Sequence, residues 1–209
     1  TVLDQGQVRR LLEATRAGTD ARPAFLVRLV LTTAMKKHEV MALKVGDVAL
    51  DAEPPNVAIR GKRHKRRNVT VPDELRHFYE AYREQYAPVE RVFPVTSRRL
   101  EYDLEDLSEA LDAPVNFTAM RWTAALRDLQ AGMAPERLRR KLGLSEMTWD
   151  RTLERLRRET VEKEHLCRLY DACVPGILTV PYRQAASLLN TLKSSAPLIR
   201  TPCSPARAT

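Results

Sequence analysis

The sequence predicts a mostly α-helical domain with one small β-hairpin, an α+β arrangement, on three observations. Apolar residues recur at helical spacing along most of the chain, and only one pair of short β-like runs interrupts them. The third observation is size and composition: 209 residues, 44% apolar and 30% charged, give one ordinary core and contain no apolar run long enough to span a bilayer. The first helix is predicted over about 5–17, because Asp4 and Gln7 form a capping-box pattern ahead of Val8, Leu11 and Leu12, and Gly18 is a stop signal. Pro23 can open a second helix, apolar on nearly every side through Phe25, Leu26, Val27, Leu29 and Val30, as a central core helix is. A third, short helix carries Glu39, Val40 and Leu43 and ends at Val45-Gly46-Asp47.

The runs 57–60 and 68–71 predict the hairpin, closed by Pro72. Beyond it, Leu75, Phe78, Tyr79 and Tyr82 share one helical face, and Leu100, Leu104, Leu107 and Leu111 mark a helix near 97–111. Further helices are predicted over 117–131, ending at Gly132, over 135–142, ending at Gly143, and over about 147–173. The main domain is therefore expected over 1–174, a linker and last amphipathic helix over 175–195, and a disordered tail over 196–209. The opening Thr1-Val2-Leu3-Asp4 lacks the basic and apolar regions of a signal peptide and reads as a domain boundary, with an upstream domain expected. Cys167, Cys173 and Cys203 form no CxxC and fit reduced intracellular thiols, so a cytoplasmic, nucleoid-associated location is expected.

Charge narrows the function classes. Lys and Arg total 35 against 27 acids, a net charge of +8, so the surface should attract polyanions, nucleic acid first among them. Arginines number 27 and lysines 8, and the guanidinium fork matches phosphate geometry better than an ammonium does. The cations cluster: Arg60-Gly61-Lys62-Arg63-His64-Lys65-Arg66-Arg67 places six of them in eight positions at the hairpin tip, a phosphate-contacting loop by its density. His38, His64, His77 and His165 show no ligand pairing, and no phosphate-binding glycine loop exists, so neither a metal nor a nucleotide cofactor is expected.

Several landmarks stand in a recognisable order. Thr33-Ala34-Met35-Lys36-Lys37-His38-Glu39-Val40 is followed by Leu43 and Asp47-Val48, then by Gly61-Lys62 and Val69-Thr70-Val71-Pro72. Farther on come Phe117-Thr118-Ala119-Met120-Arg121-Trp122-Thr123 and Lys141-Leu142-Gly143-Leu144. In this order and spacing the chain resembles the catalytic domain of tyrosine recombinases, the phage integrase and Xer family, over about residues 1–160. The resemblance implies that fold, DNA as partner, and chemistry in which a tyrosine attacks a phosphodiester while two arginines clamp its nonbridging oxygens.

Position by position, the resemblance places Lys36 at the first arginine, Thr118 and Leu144 at the two histidines, and Leu153 at the tyrosine; Lys62 and Arg121 match the family's lysine and second arginine. Lysine cannot present a bidentate fork, and leucine can neither attack phosphorus nor donate a hydrogen bond. The resemblance thus implies a degenerate, cleavage-deficient site that still binds double-stranded DNA through Lys36, Arg60, Lys62, Arg63, Lys65, Arg66, Arg67 and Arg121. Trp149 either fills the space of the missing imidazole or packs on its own helix. Two other readings stay open. One is an active recombinase using a displaced Tyr170 or Tyr182; the other is an interaction module that has abandoned DNA. The C-terminal helix is the expected contact to a second copy or a related recombinase.

Overall fold

The computed structural model describes residues 2–61 and 66–158. Helix α1, Gln5–Ala17, begins with the complete capping box: Asp4 accepts the Gln7 N–H while the Gln7 side chain accepts the Asp4 N–H. Helix α2, Ala21–Thr33, starts two residues before Pro23. Asp20 caps it by accepting the Arg22 N–H at 2.8 Å, and proline fits the first turn because its missing N–H would have had no helical partner there. As its all-round apolar pattern predicts, α2 is the buried centre: Phe25, Leu26, Val27, Leu29 and Val30 are fully buried, and α1, α4, α5 and α6 pack around it.

Helix α3, Lys37–Ala42, leads through a single tight turn, Val45–Asp47, into a three-stranded antiparallel sheet ordered β1-β2-β3. Its strands are β1, Val48–Ala49, β2, Asn56–Arg60, and β3, Arg66–Thr70. The hairpin is the one predicted. Strand β1 is not apparent from the sequence, because two residues are too few to show alternation. Strand β3 begins two residues earlier than its apolar run, since Arg66 pairs with Arg60 and Arg67 with Ile59 in the ladder.

Helices α4, Glu74–Tyr86, α5, Ser97–Leu111, α6, Phe117–Gln130, and α7, Pro135–Leu142, follow where periodicity puts them, and a last helix, α8, covers 146–158. The remainder of the predicted 147–173 helix, the boundaries at 174 and 195, and Tyr170 and Tyr182 lie outside the described residues. Among the described residues no helix is long and apolar enough to cross a membrane.

Two apolar clusters hold these elements. The larger centres on Phe25, whose ring lies 5.1, 5.4 and 5.7 Å from those of Tyr79, Tyr82 and Phe93. The Tyr82 hydroxyl, buried among them, donates to the Val92 carbonyl at 2.6 Å, so the ring enters the core without an unpaired polar atom. The smaller joins the end of α2 to α6, α7 and α8 through Ala34, Ala125, Leu138, Leu142, Trp149 and Leu156. Trp149 is only 5% exposed and packs within this cluster. Trp149→Ala is expected to lower the unfolding free energy by about 3–5 kcal/mol, measured by urea denaturation. A change below about 0.5 kcal/mol would remove α8 from the folded core.

Candidate functional site

Glu39, on α3, lies at the meeting point of the predicted site residues. Its carboxylate accepts the backbone N–H of Lys36 at 2.8 Å, fixing the start of α3, and its side chain is 3% exposed. Arg67 answers the buried charge with both ends of its fork, Nη1 to Oε1 at 2.7 Å and Nη2 to Oε2 at 2.8 Å. The third edge of the same guanidinium, Nε, donates to the Lys141 carbonyl at 2.8 Å, at the end of α7. Strand alternation explains the direction: Arg67 shares the inward face with buried Val69, whereas Arg66 and Asn68 are exposed.

The helix-ending glycine makes room for this arrangement. Gly143 has φ +61°, and a Cβ there would lie 2.9 Å from Arg67 Nη1, so the guanidinium rests directly against the glycine. Arg121, on α6, is 5% exposed and also turns inward. Its Nη2 donates to the Leu142 carbonyl at 2.7 Å and its Nη1 to the carbonyl of Ala34, the left-handed residue that ends α2. Burial pushes the Arg121 guanidinium down to about 10, which leaves it charged at neutral pH. Burial alone would raise the Glu39 carboxyl; the hydrogen bonds from Arg67 and Lys36 and the charges of Arg67 and Arg121 outweigh it and hold the group below its ordinary 4.5.

The cationic residues therefore divide. Arg67 and Arg121, expected to meet phosphate, turn inward and donate to a buried carboxylate and three main-chain carbonyls at this junction. Arg60 is 41% exposed along its side chain and holds Asp47 through two edges, Nη2 to Oδ1 at 2.7 Å and Nε to Oδ2 at 2.9 Å. Arg66, its ladder partner, is exposed. Lys36 is half-buried at the N-cap of α3, and Thr118 is exposed on the first turn of α6, whose N-cap Asn116 accepts the Ala119 N–H at 2.8 Å. Leu144 and Leu153 are half-buried against the smaller apolar cluster. Lys62, Arg63 and Lys65 lie outside the described residues.

Sequence reasoning matched Glu39 as a landmark without seeing that it organises the junction. The available signal was Val69 two residues after Arg67 on an alternating strand, which turns one member of the basic run inward. Trp122, part of a landmark but given no role by sequence, has its ring centre 5.7 Å from the Arg121 guanidinium and 5.8 Å from that of Arg155 on α8.

Arg67→Ala should lower the unfolding free energy by about 3–5 kcal/mol, because it leaves Glu39 buried and unpaired, whereas Arg66→Ala should change it by less than about 0.5 kcal/mol; urea denaturation separates the two. Since the folded state holds the Glu39 carboxyl low, the stability it contributes is complete above the ordinary value of 4.5 and is lost as pH falls through the folded value. Denaturation repeated from about pH 6 to about pH 3 should therefore show a shallower acid loss in Glu39→Gln than in the parent. Equal losses would exclude Glu39 as a source of the acid sensitivity.

The sequence profile described as the Phage integrase family matches residues 1–149. No curated protein matches the chain in sequence. Among solved structures, the crystal structure of XerA recombinase superposes with a TM-score of 0.66 at 19% identity, over 78% of this chain and 65% of that one. XerH site-specific recombinase bound to palindromic difH substrate, a post-cleavage complex, gives 0.66 at 18% identity, over 79% and 52%. The catalytic domain of bacteriophage HP1 integrase gives 0.58 at 20% identity, over 74% and 85%. The chain thus spans less than two thirds of the length of the two Xer recombinases, and at these identities the likeness is one of fold. The profile match over most of the chain, together with the helices and the small antiparallel sheet, leads to one conclusion: the chain belongs to the phage integrase family and has the fold of a tyrosine recombinase catalytic domain.

Proposed function

We propose that this chain is a DNA-binding member of the phage integrase family that holds duplex DNA at its cationic hairpin and does not cleave it. The observation that carries this reading is the chemistry at the family's reactive positions. Leu144 and Leu153 pack against an apolar cluster, Thr118 offers a hydroxyl where an imidazole belongs, and Lys36 supplies a point charge in place of a fork. Family membership supports a role in DNA recombination, and the hairpin supports retention of the binding half of that role. Arg66 and the exposed edge of Arg60 contact phosphate, joined by Lys62, Arg63 and Lys65 of the tip and by Lys36. None of these contacts reads base sequence by itself. A second copy or a related recombinase is the proposed partner of the C-terminal residues, in a cytoplasmic, nucleoid-associated setting.

Fluorescence anisotropy with a mixed-sequence duplex across several salt concentrations tests the binding half. Affinity should fall steeply with salt, and Arg66→Ala should reduce the log–log slope by about one. An unchanged slope would remove Arg66 from the interface, and no binding at low salt would favour an interaction module. A nicked suicide duplex tests the other half: no covalent adduct should form. An adduct abolished by Tyr170→Phe or Tyr182→Phe would overturn the cleavage-deficient reading in favour of an active recombinase with a displaced nucleophile.

A further inference from the structure

Away from the hairpin, α1, α2, α6 and the start of α4 enclose a cleft of about 560 Å3. Its apolar lining includes Val8, Leu12, Leu31 and Leu75, and exposed Arg9, Arg16 and Arg127 stand around it. A fourth guanidinium, Arg28, lies in the wall and is 8% exposed. Its fork donates to the Thr15 hydroxyl at 2.9 Å and to the carbonyls of Ala24 and Leu12 at 3.0 and 2.9 Å, and it lies 3.7 Å from the centre of the Phe78 ring. Among the described residues no carboxylate hydrogen-bonds to it, an unusual setting for a buried cation. Glu13 and Glu74 also line the cleft and Glu13 reaches Arg9 only at 4.0 Å, so three exposed arginines stand against two exposed acids.

The complementary surface is on the same chain. Tyr102, Glu105, Asp106 and Glu109 of α5 are exposed and spaced three, four and seven residues from the tyrosine, which puts them on one helical face. Tyr102 is 45% exposed, one of few large aromatic or apolar side chains so presented. Helix α1 lines the cleft and packs on α5, so both surfaces belong to one folded unit, and the exposed face of α5 cannot enter its own cleft. Residues 175–209 carry Arg183, Lys193, Arg200 and Arg207 and no acid, so their charge does not suit an arginine-rimmed cleft.

We propose that the arginine-rimmed cleft receives the Tyr102–Glu109 face of α5 from a second copy of this chain. Tyr102 anchors over the apolar lining, and Glu105, Asp106 and Glu109 meet Arg9, Arg16 and Arg127. The contact is head-to-tail, each copy offering one acidic ridge and one basic cleft, and it offsets the repulsion between copies that each carry +8.

Sedimentation velocity of the full chain tests this in the absence of DNA. The parent should self-associate at low salt, and association should weaken as salt screens the charges. Arg9→Glu with Arg16→Glu in one protein, and Glu105→Arg with Glu109→Arg in another, should each weaken association at least about tenfold, with circular dichroism melts reporting that both remain folded. Mixed in equal amounts, the two reversed proteins should associate again. A parent that stays monomeric at low salt, variants that associate like the parent, or a mixture that stays monomeric would each overturn the proposal.

Discussion

A carboxylate buried at a crossing of chain segments needs cationic partners brought from elsewhere in the sequence, and the Glu39–Arg67 pair meets that requirement here. The side chain of Glu39 is 3% exposed and that of Arg67 is 14% exposed, so neither can trade the contact for water without moving the backbone that carries it. Through Arg67 the pair reaches the end of α7, through the Lys36 N–H it reaches the start of α3, and Arg121 beside it ties the end of α2 to the end of α7. Segments separated by up to about a hundred residues are thereby set against one another by groups whose geometry tolerates little displacement. The smaller apolar cluster forms around this polar junction, with Ala34 and Leu142 contributing side chains to the cluster and carbonyls to Arg121.

That use of charge governs what remains for a ligand. A guanidinium that has donated three of its five N–H groups inward, as Arg67 has, and whose side chain is only 14% exposed, is held by the protein more than it is offered to a phosphate outside. The cationic run of the hairpin is thus not a uniform patch. Strand alternation sends Arg67 to the interior and Arg66 to solvent, while Arg60 divides itself between Asp47 and the surface. On the proposed binding reading, electrostatic attraction comes from the residues the fold leaves outward. The inward residues determine where the hairpin stands when the duplex arrives.

The helices were legible because each carries a complete local signal. Asp4 with Gln7, Gly143 after α7, and the all-round apolar face of α2 each fix an element without tertiary help. The order of the family landmarks was legible for the same reason, since residues such as Glu39 and Arg121 stand at fixed positions in the chain. What the sequence did not disclose is which way charged side chains point. Composition makes Arg66 and Arg67 equivalent; alternation with Val69 marks Arg67 as the inward one, but the buried carboxylate it meets, 28 residues upstream, shows only in the fold. Strand β1 was hidden by brevity, and the start of α2 by Pro23, which is compatible with several positions in a first turn.

The left-handed residue at the end of α2 shows how closely Arg121 is tied into the junction. Ala34 holds φ +54° with no exposure, a conformation that disfavours a Cβ by roughly 1 kcal/mol. The surrounding contacts over-determine it: its methyl belongs to the smaller cluster, its N–H donates to the Val30 carbonyl at 2.9 Å, and its carbonyl receives Arg121. Freeing Arg121 for a phosphate would leave that carbonyl and the Leu142 carbonyl buried and unpaired, so the loss would fall on the junction as well as on the site. Leu144 and Leu153 each pack against the same cluster that holds Trp149 and Leu156, so on the proposed reading these positions also serve the core. On the proposed cleavage-deficient reading, the Arg121 guanidinium serves the junction through its hydrogen bonds to the Ala34 and Leu142 carbonyls.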